Sequence, residues 1–431
     1  MDPTTLAICA ALVSAVCVMA APTPANAPVP VIIPRVANVS GAVVTTQSDP
    51  SQDSEYIAML DCSATSDINT CIDNVLAEIG LTTTSSNVVH IYNNSAFHGF
   101  AVSIPSSTLA TLEAVSEVAH IEAVQSFGRS SVTTRSNSPW GLQRISQSAS
   151  LAGNNPSYAT FTYTYDDTGS LGAGVDIYVV DSGINTANEY FGGRAVMGWA
   201  ANGTSDEEDL DGHGTHVAGT AGSNPFGVAS GANIIGVKVL GANGAGSSSD
   251  VVAGIDYVVQ THESRIADSD FIGSIASISF GLDGRSTAIE SAITAAVTAG
   301  VHVSVASGNQ ATDACTVTPG AVGGSGGPAV AVGSINISDE ISSFSNTGSC
   351  VDVYAPGEYV LSTFIGSTTA TALMSGTSMS CPHVTGIMAY LMAQNETLAG
   401  CPALMKEYIS SSALSGIITN VLLANNGQTG S

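Results

Sequence analysis

Val175-Asp176-Ile177-Tyr178-Val179-Val180-Asp181-Ser182-Gly183 is the stretch on which the fold turns. Val175–Val180 reads as a short, nearly continuous apolar strand, and a strand apolar on both faces must be covered on both faces, as in a parallel sheet. The pattern repeats outward from it. Strands are predicted at Ile234–Val239, Ile275–Phe280 and Val301–Ala306, and helices at His216–Gly222, Asp250–Gln260, Ala288–Ala299 and Met379–Gln394. This alternation predicts an α/β domain, a parallel sheet with helices on both faces. In such sheets ligands and reactive groups collect beyond the carboxyl ends of the strands, where Asp181 stands. A lone Asp there also serves as a turn or cap residue, so this island by itself leaves both roles open.

Composition narrows the class. The chain has 431 residues, with 9 Lys plus Arg against 35 Asp plus Glu and a formal net charge of -26. Charged residues make up 10%, against roughly 25% in ordinary soluble proteins. Electrostatic binding of nucleic acid is excluded, because little is available to neutralise phosphates. A salt-bridge-laced coiled coil is excluded too, and 45 Gly point to strands and many turns. Only two lysines occur, Lys238 and Lys406, which suggests an acidic setting or resistance to cleavage at basic residues. The length predicts two or three domains.

Leu6 to Met19 is apolar and closes on Ala20 and Ala21: the length of a signal-peptide core, too short for a membrane span. Residues 1–20 are therefore expected to be a signal peptide, leaving a soluble, secreted protein with no membrane association after maturation. Residues 21–53, rich in Pro, Ala, Ser and Thr, read as linker. Over 54–127 the order is strand, helix, strand, strand, helix, strand, as in a ferredoxin-like α+β domain, with Ser106 and Ser107 as possible caps of the second helix. The polar run Arg129 to Ser138 predicts a flexible, protease-accessible processing linker over 128–138. The α/β domain then fills 139–431.

Two further islands place reactive groups beside glycine. In Asp211-Gly212-His213-Gly214-Thr215-His216 the histidines lie three apart, whereas the zinc-binding helical motif needs four and an intervening Glu. The glycines instead allow close approach of another segment to His213. In Ser375-Gly376-Thr377-Ser378-Met379-Ser380-Cys381-Pro382-His383, Pro382 fits only a first helical turn, which sets the helix start near Ser378. A serine there meets free backbone N–H groups and the positive end of the dipole, although an ordinary N-cap uses the same residue type. Together the islands supply Asp, His and Ser, each at an element terminus. A serine hydroxyl is a weak nucleophile that needs a base to take its proton and an acid to orient that base.

With these motifs in order, the chain resembles the subtilisin-like serine peptidases, and among them the secreted proteinase K-like branch. The resemblance runs through Pro139-Trp140-Gly141-Leu142-Gln143-Arg144-Ile145, VVDSGI, DGHGTHVAGT, GVKVL, SISFG, VASGN, FSNTGSCVDVYAPG and SGTSMSCPHVTG. It implies that Asp181, His213 and Ser378 are a catalytic triad, with His213 as general base and then general acid. It also implies that Asn309, ending Ser304-Val305-Ala306-Ser307-Gly308-Asn309, donates to the oxyanion alongside the Ser378 N–H. His216 and His383 match structural positions. Extended peptide substrates would pair with Gly244-Ala245-Gly246 and Ser279-Phe280-Gly281, whose small residues suit close backbone approach. Without an acid in the pocket-lining blocks, a broad preference for an apolar or aromatic residue before the scissile bond is expected. The acidic run Asp206-Glu207-Glu208-Asp209 is expected to be a solvated loop, or else to favour basic side chains near the bond or raise the His213 pKa. Residues 54–127 resemble the inhibitory propeptide of the same family, especially at Phe97-His98-Gly99-Phe100-Ala101, implying an intramolecular inhibitor and folding template removed by cleavage within 127–135.

The resemblance further pairs Cys315 with Cys350, leaves Cys381 as a buried thiol beside the nucleophile and Cys401 unassigned, and puts Cys62 and Cys71 in the propeptide. Asp352 matches a calcium-ligating position, with backbone carbonyls near Gly327 and Ala329; no cofactor is needed for the chemistry itself. Asn202, Asn336 and Asn395 are sequons. The expectation is a monomeric secreted serine endopeptidase acting on protein and peptide substrates. Two other readings stay open: an inactive binding protein of the same fold, and an acid-acting serine-carboxyl peptidase, which would carry Glu where His213 stands.

Overall fold

Residues 54–62, 67–94, 97–124, 132–201 and 208–428 are described in the structure, a computed structural model. They divide near residue 129 into an N-terminal unit and a larger second unit. The expected signal peptide and linker, residues 1–53, lie outside the described residues.

The N-terminal unit runs β1 (Ser54–Leu60), α1 (Ile68–Glu78), β2 (Val88–Asn93), β3 (His98–Ile104), α2 (Ser106–Glu113) and β4 (Val118–Ala123). Its sheet order is β2-β3-β1-β4, with every paired strand antiparallel, the arrangement of a ferredoxin-like domain. Asp67 caps α1, accepting from Thr70 N. Pro105, not Ser106 or Ser107, precedes the first turn of α2, since its extended backbone halts the helix where a serine cap was expected. Ala58, Phe100 and Val102 pack on Ile72, Leu76 and Leu112. A Cys62–Cys71 disulfide, unforeseen in the sequence, ties α1 to the end of β1.

The second unit begins with β5 (Val132–Ser138), α3 (Trp140–Arg144) and β6 (Phe161–Asp166). Here the expected flexible linker is corrected: residues 132–138 pair antiparallel with β6. Arg135 fastens the strand, donating to the carbonyls of Asn224 and Gly227 at 2.5 and 2.7 Å and lying over the Tyr163 ring. Polar composition alone did not reveal a strand held by one arginine.

The large sheet comprises β7 (Val175–Asp181), β8 (Ala195–Ala200), β9 (Asn233–Lys238), β10 (Gly273–Ile278), β11 (His302–Ala306), β12 (Val330–Ile335) and β13 (Val353–Pro356). Its order is β13-β12-β11-β10-β7-β9-β8, and every pairing in it is parallel. Between the strands lie α4 (His213–Gly222), α5 (Ser248–Arg265) and α6 (Thr287–Thr298). A hairpin, β14 (Val360–Thr363) and β15 (Thr371–Met374), leads into α7 (Thr377–Gln394), α8 (Glu396–Ala399) and α9 (Pro402–Ser412). Alternate residues of β7 face opposite cores. Val175, Ile177 and Val179 pack with Ala218 of α4 and Val384 and Ile387 of α7. Tyr178 and Val180 pack with Ile255 of α5 and Ile293 of α6. Each such aliphatic side chain stabilises by about 1.5–3 kcal/mol. The chain leaves β9 on one side of β7 and resumes with β10 on the other, so the switch point of the sheet falls at the carboxyl ends of β7 and β10. Among the described residues no helix is long and apolar enough to cross a membrane.

Arg144 of α3 is buried, with Nε 2.5 Å from Asp339 Oδ1 and Nη1 donating to the Gln147 carbonyl. Removing one partner strands the other charge in the interior, so Asp339→Ala is expected to cost about 3–5 kcal/mol, measured as a lower urea midpoint at unchanged slope.

Candidate active site

Three elements converge at the switch point. Asp181 closes β7 fully buried, and its Oδ1 accepts from Ser182 N at 2.7 Å. His213, the first residue of α4, places Nδ1 2.8 and 3.0 Å from the two Asp181 oxygens. Close packing makes this reach possible: a Cβ on Gly214 would lie 2.3 Å from the Gly183 carbonyl, so only glycine lets α4 sit against the β7 turn.

Asp209, expected in a solvated loop, is instead 2% exposed. Its Oδ1 accepts from Ser182 Oγ, Asp211 N and Gly212 N at 2.9–3.1 Å, and its Oδ2 from Thr215 N and Oγ1 at 2.9 and 2.6 Å. It thus serves as the anion at the N-terminus of α4, where free N–H groups favour negative charge. Of the same run, Glu208 is exposed, and 206–207 lie outside the described residues.

Ser378 is the second residue of α7, so its N–H has no intrahelical acceptor. The helix starts at Thr377 and carries Pro382 in its second turn rather than its first; the missing proline N–H releases the Ser378 carbonyl from the helical ladder. The Ser378 hydroxyl donates to the Ser279 carbonyl at 2.5 Å. Asn309 Oδ1 accepts from Thr377 N and Oγ1 at 2.8 and 2.9 Å, which leaves the Asn309 amide N–H groups for other acceptors. Behind it Asn346, fully buried, staples the loop: Nδ2 donates to the Ser307 carbonyl, and Oδ1 accepts from Gln310 N and Thr312 N, all at 3.0 Å. Asn346 lies in the FSNTG block, but nothing in its local spacing marks this role.

His213, Ser378 and Asn309 line one cavity of about 230 Å³ together with Gly244, Ser279, Phe280 and Gly281. Ala245 and Gly246 do not line it. The Ala245 N–H and carbonyl are both engaged within the 241–246 turn, with Asn243 and Gly241. Asp211 is also on the wall, an acid that the sequence blocks did not place there. His216 and His383 are buried and bonded to backbone carbonyls. Burial pushes their pKa down to about 3 and about 4, so they stay neutral. Cys381 is a buried free thiol whose pKa burial raises, which makes it a poor nucleophile. Cys315 and Cys350 form a disulfide. No group of three or more His, Cys, Asp or Glu side chains is placed to hold a metal among the described residues. Of the sequons, Asn395 is exposed, Asn336 is half-buried and Asn202 lies outside the described residues.

Residues 172–430 match the model of the subtilase family. The chain belongs to the subtilase family of serine endopeptidases. A subtilisin-like serine protease of Rhodotorula mucilaginosa is 45% identical over 262 residues, 61% of this subtilase and 73% of that protein. Cerevisin of Saccharomyces cerevisiae is 45% identical over 265 residues, but this subtilase spans only 40% of its length. The crystal structure of a cold adapted subtilisin-like serine proteinase superposes with a TM-score of 0.56 at 37% identity, covering 67% of this chain and 97% of that one.

Burial alone would lower the His213 pKa, but the Asp181 carboxylate, reinforced by Asp211 and Asp209, outweighs it and the net direction is upward. His213 therefore keeps its proton to higher pH than a free imidazole, whose pKa is about 6.5. An NMR titration of His213 is expected to have its midpoint above that value, and Asp211→Asn to move the midpoint down.

Proposed function

We propose that this subtilase is a secreted serine endopeptidase that cleaves peptide bonds through an acyl-enzyme on Ser378. The observation that carries the reading is His213 held by the buried Asp181 within one cavity shared with Ser378 and Asn309. In the reaction the Ser378 hydroxyl leaves the Ser279 carbonyl and attacks the scissile carbonyl carbon, while its proton passes to His213 Nε2. Asp181 keeps Nδ1 protonated and stabilises the imidazolium. The oxyanion is met by the Ser378 N–H and the Asn309 amide. Collapse expels the amine, which takes the proton from His213. Water then repeats the sequence on the ester and frees Ser378. Leu240, Phe280 and Ala306 on the cavity wall support a broad apolar or aromatic preference.

Secretion is supported by the apolar N-terminal run and by the Cys62–Cys71 and Cys315–Cys350 disulfides, since such bonds persist in oxidising compartments. The N-terminal unit, with its own core, is assigned as the chain's intramolecular inhibitor. The pairing of Val132–Ser138 as a strand of the second unit supports cleavage before Val132, within the N-terminal part of the 127–135 range.

Ser378→Ala is expected to lower turnover on unfolded protein by about 10⁶ and to abolish labelling by a phosphonate. Asn309→Ala is expected to lower turnover by about 10²–10³ with little change in KM. An unchanged rate in Ser378→Ala would overturn the nucleophile assignment, and an unlabelled, inactive wild type would identify a binding protein instead. N-terminal sequencing of the enzyme from culture medium should find a first residue at or before Val132, with the N-terminal unit still attached in Ser378→Ala.

A further inference from the structure

Asp352, the position matched to a calcium ligand, already has a cation. Lys406 of α9 reaches across to it, with Nζ 3.2 Å from Asp352 Oδ1 and donating to the carbonyls of Gly327 and Ala329 at 2.9 and 2.5 Å. This carboxylate and these carbonyls lie where the family resemblance puts calcium ligands, at Asp352 and near Gly327 and Ala329. An ammonium has three N–H donors, and here three oxygens receive them. The other Asp352 oxygen accepts from Gly324 N and Ala331 N at 3.1 and 2.8 Å. Both side chains are largely buried, at 14% and 6% exposure.

These oxygens do not fit calcium while the lysine is in place. Calcium takes about 6–8 oxygens at roughly 2.3–2.6 Å, whereas this cradle supplies one carboxylate whose charge Lys406 already balances. A divalent ion drawing on the same three oxygens would sit against the ammonium. We propose that Lys406 is a tethered cation that takes the place of a metal ion in this cradle, so that the Gly323–Ala331 loop is pinned by the chain itself and this site binds no calcium. The lysine also cross-links distant parts of the fold. It projects from a helix whose Met405 and Ile409 are buried in the core, and it holds the segment that leads into β12. Removing its side chain leaves two carbonyls and a carboxylate oxygen converging on a cation-sized space.

Thermal unfolding of the full chain at a fixed scan rate, in a Ser378→Ala background that prevents self-cleavage, tests the assignment. Lys406→Ala is expected to lower the midpoint by at least about 4 °C in EDTA, with part of the loss recovered in millimolar CaCl2. Lys406→Met keeps the apolar stem but not the charge, and is expected to lose stability without recovery. The parent midpoint is expected to show no calcium increment that Asp352→Asn removes. Such an increment in the parent would overturn the proposal by showing that the cradle holds metal beside the lysine. So would an unchanged midpoint for both Lys406 variants in EDTA, or a stability loss in Lys406→Ala that calcium leaves untouched. The readout does not involve turnover, so it stands apart from the proposed peptidase reaction.

Discussion

The site depends on two buried carboxylates near the carboxyl end of β7. Asp181 and Asp209 are both withdrawn from water, and an unpaired buried charge is among the most costly features a fold can carry. Both are satisfied chiefly by N–H and O–H donors rather than by strong cations. Asp209 collects the backbone N–H groups that open α4 together with the hydroxyls of Ser182 and Thr215. Asp181 takes the Ser182 N–H and His213. Ser182 joins the two, since its N–H serves one carboxylate and its hydroxyl the other, while that hydroxyl also accepts from Gly214 N. Displacing any of these groups leaves a buried anion short of donors, so the orientation of His213 is set by the cost of the alternatives.

This dependence explains what was legible in the sequence. The β7, β9, β10 and β11 strands are apolar on both faces and were read to within two residues, because double-sided burial leaves an unbroken apolar run. β8 is an edge strand with exposed residues such as Val196, β13 is short, and β12, although buried throughout, has its apolar run cut short by Gly333 and Ser334; none of the three is predicted. Asp181, His213 and Ser378 were readable as a candidate set because each carries a polar side chain beside glycine at the end of a periodic element, whereas Asn309 was reached through the family resemblance. For Asp209 the expectation of a raised His213 pKa holds, but the solvated loop does not, because an acidic run looks solvated unless the N–H groups that surround one of its members are known. Residues 132–138 were misread for a similar reason: the strand's partner and the carbonyls that hold Arg135 are distant in the chain. Ala245 is expected to pair with substrate, yet the 241–246 turn engages its own N–H and carbonyl, and hydrogen bonding of that kind leaves no trace in composition.

The scarcity of basic residues is also a question of placement. Arg144, Arg265 and Arg285 pair with carboxylates. Arg135, Arg194, Lys238 and Lys406 all donate to backbone carbonyls, and Lys406 reaches a carboxylate as well. Lys238 is the clearest case: its ammonium is buried and donates to the Ser182 carbonyl at 2.5 Å, directly beneath the turn that aligns the two acids. A carbonyl at the end of a strand or in a tight loop has no ladder partner, and a buried one must find a donor. A lysine or arginine meets that need with several N–H groups on one long stem, and a single residue can therefore close two or three such gaps at once. The described basic residues are thus committed to cross-linking, while the uncompensated acids account for the negative net charge. That charge works against compactness through self-repulsion, and interior cations that join distant segments are a direct way for an acidic chain to resist it.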